Sequence, residues 1–193
     1  MTTLIGTHVR LEPLSLDHAQ DLWKNTAGDA ELWKWVVTKY PIPHSLEEMT
    51  ALVSTMVAEE SREGFAVIDL RSGECVGSTS YLDIQAALQT IEIGSTFYGA
   101  VARRTGINTE TKLLLMTEAF ETRGFERVAI KADNLNQRSL DAIARIGARY
   151  EGTLRSHMVR RDGSRRDTVY FSVIKSEWPD VKAELERKLA SHH

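Results

Sequence analysis

Apolar and polar positions repeat along this chain with two different periods, which change at turn signals. Periods near 3.6 residues predict helices over residues 16–23, 30–37, 45–60, 108–122, 136–146 and 178–189. Strict alternation and short apolar runs predict strands over residues 8–14, 65–68, 75–84, 89–97, 128–130, 150–159 and 168–174. The three strands between residues 65 and 97 follow one another closely, which indicates an antiparallel meander. After residue 100 helices and strands alternate, so we expect one mixed α/β domain.

Capping and turn residues support these boundaries. Ser45 and Glu48 have the spacing of a capping box at a helix start. Gly124 and Gly147 follow two of the predicted helices and are suitable C-terminal stops. Asp162-Gly163 predicts a tight turn between the last two strands.

Composition and charge narrow the classes of function. The chain has 193 residues, 42% hydrophobic and 26% charged, as expected for a globular domain over residues 1–191, with His192-His193 as a tag remnant. A net charge of −3 gives no global reason to bind nucleic acid or an anionic membrane. The single cysteine, Cys75, excludes an internal disulfide and a cysteine-based zinc site. With no secretory signal and no apolar run of membrane-spanning length, we expect a cytoplasmic protein.

The segment from the third meander strand to the next helix has the features of an anion site. A glycine-containing loop at a helix start presents free backbone N–H groups and the positive end of the helix dipole, which suit a phosphate. Neither of the two standard phosphate-loop patterns occurs in the chain. By itself, an Arg-x-x-Gly turn before a helix is more often a plain capped start, so both interpretations stay open. The loop and first turn consist of Arg103, Arg104, Thr105, Gly106, Ile107, Asn108 and Thr109.

A second polar segment, which contains Asn136 and Ser139, follows the short strand at residues 128–130. The N-x-x-S spacing is most simply a helix N-cap with a first-turn partner. Because the two side chains come just after a strand, they could instead face a ligand at the strand's end.

Taken in order, these segments resemble the GNAT superfamily of acetyl-CoA-dependent N-acetyltransferases. The closer similarity is to the branch of the RimJ/RimL type, which acetylates N-termini of ribosomal proteins. The resemblance covers roughly residues 8–178. It implies a GNAT fold, with a central mixed, mostly antiparallel sheet of about seven strands flanked by helices. Further matching segments are Val9-Arg10-Leu11-Glu12-Pro13-Leu14, Thr109-Glu110, Ile146-Gly147-Ala148, Glu151-Gly152 and Ser176-Glu177-Trp178.

The resemblance also implies a coenzyme site without a metal. The amides of the Arg103–Thr109 segment would cradle the pyrophosphate of coenzyme A, with Asn108 where the family has glycine or alanine. Glu110 would oppose that phosphate unless its side chain points away. Asn136 would bond the pantetheine arm and Ser139 would protonate the leaving thiolate. Ile143 is at the position where many members of the superfamily have a tyrosine that acts as the general acid.

For catalysis, the resemblance makes Glu92 the first candidate for general base, since an ammonium substrate must lose a proton before it attacks a thioester. A structural ion pair is the equal alternative for a strand glutamate. His157 is the second candidate, because an unperturbed imidazole has a pKa of about 6.5. Trp33 and Trp35 would form one wall of the acceptor site, although either could be a core residue.

We therefore expect an enzyme that transfers acetyl directly from acetyl-CoA to a primary amine, on a protein N-terminus or a small molecule. The expected assembly is a monomer or a homodimer. Two alternatives remain: a non-catalytic acyl-CoA sensor on the same fold, and a ribosome- or RNA-associated protein. The last would use the basic hairpin tip, which a solvated turn explains more simply, and whose arginines are Arg160, Arg161, Arg165 and Arg166.

Overall fold

The computed structural model describes residues 2–36 and 40–191. One sheet of eight strands extends through it, in the order β1-β2-β3-β4-β5-β6-β8-β7. Neighbouring strands are antiparallel except for β5 and β6, which are parallel. The strands are β1 (Leu4–Ile5), β2 (Val9–Pro13), β3 (Arg62–Asp69), β4 (Cys75–Gln85), β5 (Thr90–Tyr98), β6 (Arg127–Asp133), β7 (Arg149–Val159) and β8 (Arg165–Ile174).

Helices cover the sheet in two groups, each with its own apolar core. The helices are α1 (Ala19–Thr26), α2 (Ala30–Trp35), α3 (Leu46–Ala58), α4 (Ile107–Thr117), α5 (Gln137–Arg145) and α6 (Trp178–Ala190). Leu115 of α4, Ile143 of α5 and Leu185 of α6 belong to one core. Leu22 of α1 and Met49 of α3 belong to the other. The result is a helix–sheet–helix arrangement, as the alternating pattern predicts.

All seven predicted strands are present, and the expectation of about seven is corrected to eight by β1. A two-residue strand is too short to show a period, so the pattern could not reveal it. The helix predicted over 108–122 is α-helical only to Thr117 and continues as a π-helical turn over Glu118–Thr122. Val37, the predicted end of the second helix, and the two C-terminal histidines lie outside the described residues.

The parallel strands β5 and β6 pair only at their beginnings. Their register runs from Thr90 opposite Arg127 to Glu92 opposite Ala129. Both strands continue beyond this point, so their facing edges have no strand partner in the part of the chain that is described. A bulge in β5, where Ser95 has a φ of 48°, shifts the register with β4 close to this point. Unpaired backbone groups inside a protein need partners, so the gap is suited to a ligand with amide groups.

Lys112 is a buried cation between α4 and the sheet. Its residue is only 5% exposed, and Nζ donates to Thr96 Oγ1 at 2.9 Å. Thr96 Oγ1 in turn lies 2.7 Å from Thr79 Oγ1. No ion pair of Lys112 occurs among the described residues, and burial lowers its pKa to about 7 because the charged form loses its hydration.

We predict that Lys112→Met stabilises the protein, by on the order of a few kcal/mol below pH 7. The folded chain releases the Lys112 proton near pH 7, and the unfolded chain near its ordinary value of 10.5. The stability of the wild type therefore rises with pH between these values, and the advantage of the variant shrinks over the same window. Urea denaturation at pH 6, 8 and 10 measures this difference.

Lys175→Met is the matched control, because Lys175 is an exposed lysine paired with Glu126. It should not stabilise the protein at any of the three pH values. A wild type as stable as Lys112→Met at pH 6 would contradict the prediction.

Candidate active site

The start of α4 offers backbone donors to an anion. Gly106 is the N-cap residue, and the N–H of Ile107 is turned back onto Thr105 Oγ1 at 3.3 Å. The N–H groups of Asn108 and Thr109 have no protein acceptor among the described residues. Two free amides at the positive end of a helix form a suitable seat for a phosphate.

The acidic residue in this first turn points away from the seat. The Glu110 carboxylate accepts backbone N–H groups from Thr7 at 2.8 Å, His8 at 2.6 Å and Val9 at 2.7 Å. Gly6 makes room for it, since a Cβ there would lie 2.4 Å from Glu110 Cδ. The sequence required the Glu110 side chain to point away from a bound phosphate. It does so, because the backbone N–H groups of residues 7–9 bind its carboxylate.

The two loop arginines have different surroundings. Arg103 forms an ion pair with Asp29, which also caps α2 by accepting the N–H of Leu32 at 3.0 Å. Arg103 therefore ties the loop to α2 through its side chain, and the cradling of a phosphate by the backbone of this segment stays a prediction. Arg104 is exposed and has a φ of 60°, and its side chain is the freer of the two to approach an anion.

Asn136 and Ser139 lie beyond the end of β6, on the side where β6 has separated from β5. Asn136 Oδ1 accepts the N–H of Ser139 at 3.1 Å, so Asn136 is the N-cap of α5. The amide nitrogen of Asn136 and the hydroxyl of Ser139 make no hydrogen bond within the described part of the chain. The capping interpretation is confirmed, and it leaves one polar group on each residue for a ligand.

Glu92 is at the last paired position of β5, where the two strands begin to separate. Its residue is 5% exposed, with Oε2 at 2.8 Å from Lys131 Nζ, whereas Oε1 is buried without a hydrogen-bond partner. Burial raises the pKa of Glu92, and the nearby Lys131 ammonium opposes this rise. Gly94 gives the carboxylate space, because a Cβ there would be 2.9 Å from Glu92 Oε1. Glu92 therefore forms an ion pair through one carboxylate oxygen and keeps the other oxygen without a partner among the described residues.

The two tryptophans occupy different environments. Trp33 is 2% exposed, donates from Nε1 to the carbonyl of Thr26 at 2.9 Å and packs on Phe97. Trp33 is therefore a core residue, which is the alternative that the sequence left open for the two tryptophans. Trp35 is half-buried, and it lines a cleft next to Asp133.

His157 is exposed, and its Nδ1 lies 3.1 Å from Thr168 Oγ1. It lacks the burial that distinguishes Glu92. Ile143 is buried in the core, so this position supplies no proton.

Sequence reasoning missed Lys131 and Asp133 of β6, and it assigned Arg166 to a solvated turn. Arg166 is half-buried, and its guanidinium lies 3.9 Å from Asp133. The alternation along β6 places Lys131 and Asp133 on the same face, opposite the core residues Val128 and Ile130. This alternation was the available signal.

Neither a cluster suited to a metal ion nor a membrane-spanning helix occurs among the described residues. No cluster of three or more His, Cys, Asp or Glu residues has the arrangement of a metal site. No helix combines the length and apolar character that crossing a membrane requires.

Comparisons with known proteins identify the family. Residues 8–149 match the acetyltransferase (GNAT) domain. The chain therefore belongs to the GNAT acetyltransferase family, and its fold is the GNAT fold. A GCN5-related N-acetyltransferase from Brucella melitensis is 33% identical with a TM-score of 0.91, and the match covers 97% of this chain and 85% of that one.

More distant structures share the same architecture. A probable acetyltransferase (GNAT family) from Chromobacterium violaceum is 31% identical with a TM-score of 0.84, covering 92% of this chain and 88% of that one. The ribosomal-protein-S5-alanine acetyltransferase from Vibrio fischeri is 16% identical with a TM-score of 0.71, covering 92% and 99%. At that identity the likeness concerns the fold alone. No curated protein sequence matches the chain.

We predict that Asn108→Asp weakens the binding of coenzyme A by on the order of tenfold. The change is isosteric and adds one negative charge beside the free amides of α4. The same charge favours a helix N-terminus, so the melting temperature should stay the same or rise. Calorimetric titration with coenzyme A at low and high salt measures the effect, which salt should reduce.

Gln20→Glu, an equal charge change on the exposed face of α1, is the control and should leave affinity unchanged. If Asn108→Asp and the wild type bound coenzyme A with equal affinity, the phosphate site would not be at the start of α4.

Proposed function

We propose that this protein is an acetyl-CoA-dependent N-acetyltransferase that transfers acetyl directly to a primary amine. The observation that carries the proposal is the place of Glu92. A buried carboxylate with one free oxygen lies where β5 and β6 separate, and the helices that follow these two strands both offer polar groups at their starts.

The residues present suit coenzyme A. The amides of Asn108 and Thr109, with the exposed Arg104, would hold the pyrophosphate. The unpaired edge of β5 and the free amide nitrogen of Asn136 would bind the amide groups of the pantetheine arm. Acetyl-CoA supplies the acyl group as an activated thioester.

Residues of the chain then carry out the proton transfers. Glu92 accepts a proton from the ammonium form of the acceptor, and its raised pKa favours this transfer near neutral pH. The free amine forms the new C–N bond as the C–S bond of the thioester breaks. The amine nitrogen loses a second proton as the amide forms, and Ser139 or water relays that proton to the departing thiolate. No acyl-enzyme is needed, since the thiol of Cys75 is buried and burial raises its pKa to about 12.

Within the family, the matching segments favour the RimJ/RimL-like branch, acting in the cytoplasm as a monomer or homodimer. The hairpin arginines do not strengthen the RNA-binding alternative, because each makes contacts within the chain. Arg160 and Arg166 lie at Asp133, Arg161 at the Tyr40 carbonyl and Arg165 at Ser156.

We expect Glu92→Gln to lower kcat by about 10²- to 10⁴-fold, the usual contribution of a general base. Its affinity for coenzyme A should be unchanged, because the pyrophosphate seat is elsewhere. Thiol release from acetyl-CoA with a panel of amines gives kcat, and calorimetry gives the affinity.

Glu63→Gln is the control, since Glu63 pairs with Arg123 away from the site. If Glu92→Gln retained full activity, Glu92 would not be the base. If the wild type bound acetyl-CoA but released no thiol with any amine, the non-catalytic sensor would be the better description.

We also expect Lys131→Met to move the acidic limb of the kcat/KM profile to higher pH. The Lys131 ammonium lowers the pKa of Glu92 against the effect of burial, so its removal raises that pKa further. Glu92 then stays protonated, and inactive as a base, up to a higher pH. Lys131→Arg keeps the charge and should restore the wild-type limb. An unmoved limb would mean that another group titrates.

A further inference from the structure

A narrow cleft at the far end of β6 is rich in cations. It lies on the sheet face that carries Glu92, between α2 and the β7–β8 hairpin. Among the described residues, four cationic side chains and a single carboxylate line it, together with apolar surface. The lining residues are Lys34, Trp35, Val36, Asp133, Met158, Val159, Arg160, Arg161 and Arg166.

The one carboxylate is already engaged by one arginine. Arg160 binds Asp133 through both oxygens, from Nε at 2.7 Å and from Nη2 at 2.9 Å. Arg166 reaches the same carboxylate only at 3.9 Å, beyond hydrogen-bond distance. Arg166 Nε is buried and has no hydrogen-bond partner. A half-buried guanidinium therefore lacks the anion that would satisfy it.

Glu92 and Arg166 each have one buried polar atom without a hydrogen-bond partner, and the two atoms are complementary. Glu92 Oε1 is a buried acceptor without a donor, and Arg166 Nε is a buried donor without an acceptor. Glu92 pairs with Lys131, and Arg166 lies near Asp133, two residues further along β6, so both groups are on the same face of the sheet. A molecule with an ammonium and a carboxylate would supply both missing partners.

We propose that the acceptor is an amine that carries a carboxylate, as a free amino acid does, and that Arg166 selects for this carboxylate. This inference rests on the proposed function, because Glu92 is taken as the base for the acceptor amine. A fork of N–H donors binds a carboxylate with good geometry. Trp35 and Met158 line the cleft beside Arg166. A polyamine would be repelled by the cations of the cleft.

The first experiment uses the wild type alone. kcat/KM is measured for phenylalanine and phenylalaninamide, and for leucine and leucinamide, by thiol release from acetyl-CoA. Each value is referred to the concentration of the ammonium form, which Glu92 is proposed to deprotonate, since the amide has the more acidic ammonium. We expect the acid to be preferred by at least about tenfold in each pair, the scale of one charge-assisted hydrogen bond.

The second experiment changes Arg166. Arg166→Gln should raise the KM for the amino acids at least about tenfold, with kcat within about twofold and the amides unaffected. Arg166→Lys should retain part of the preference. Arg165→Gln is the matched control, because Arg165 is exposed on the same hairpin and donates to Ser156. Calorimetric binding of N-acetylphenylalanine in the presence of coenzyme A should weaken in Arg166→Gln and not in Arg165→Gln.

The outcomes separate the two proposals. Thiol release with amides or peptide N-termini at least as fast as with amino acids would overturn the carboxylate preference and leave the acetyltransferase proposal intact. Acetyl-CoA binding without thiol release for any amine would overturn both. If Arg166→Gln fails to fold, the wild-type ratios still decide.

Discussion

The separation of β5 from β6 is the constraint on which the rest of this structure depends. Each strand keeps its other neighbour, β4 or β8, along its length, so neither can turn to close the gap. The separation begins at Glu92, which places a carboxylate at its apex. Because α4 follows β5 and α5 follows β6, both helix starts lie near the open end. One departure from parallel pairing thus brings the proposed base, the free amides of α4 and an unpaired backbone edge to the same part of the sheet.

Two buried charges on α4 show how differently the fold treats such groups. Glu110 is satisfied by three backbone N–H groups, so its burial fixes the beginning of the chain against the helix. Lys112, less than one turn further on, has a hydroxyl partner but no anionic partner among the described residues. A buried carboxylate that accepts several hydrogen bonds stabilises the fold, whereas a buried cation without an anionic partner destabilises it. The helix that carries the proposed phosphate seat is thus anchored at one position and strained electrostatically at the next.

Sequence pattern predicted the fold well, because long periodic segments and strong turn signals define most of its elements. The position of Glu92 and the N-cap role of Asn136 were also accessible, since strand ends and capping spacings are local features. The partners were not. The ion pair of Arg103 with Asp29 joins residues far apart in sequence, and no local pattern reveals it. The same holds for Lys131 beside Glu92 and for Arg166 beside Asp133, which only the strand order β5-β6-β8 brings together.

The net charge of −3 shows why composition is a poor guide to a site. Averaged over the surface, it predicts no anionic ligand, yet the free amides of α4 and the cations beside Asp133 favour one at two separate places. The first place suits the phosphates of a coenzyme, and the second is too confined by Trp35 and Met158 for a polyanion. Since Glu92 lies on the same sheet face as the second place, a negative group bound there would lie beside the acceptor amine of the proposed reaction. Local charge, considered together with its partners, is thus the basis for proposing separate coenzyme and acceptor sites in a protein that is slightly acidic overall.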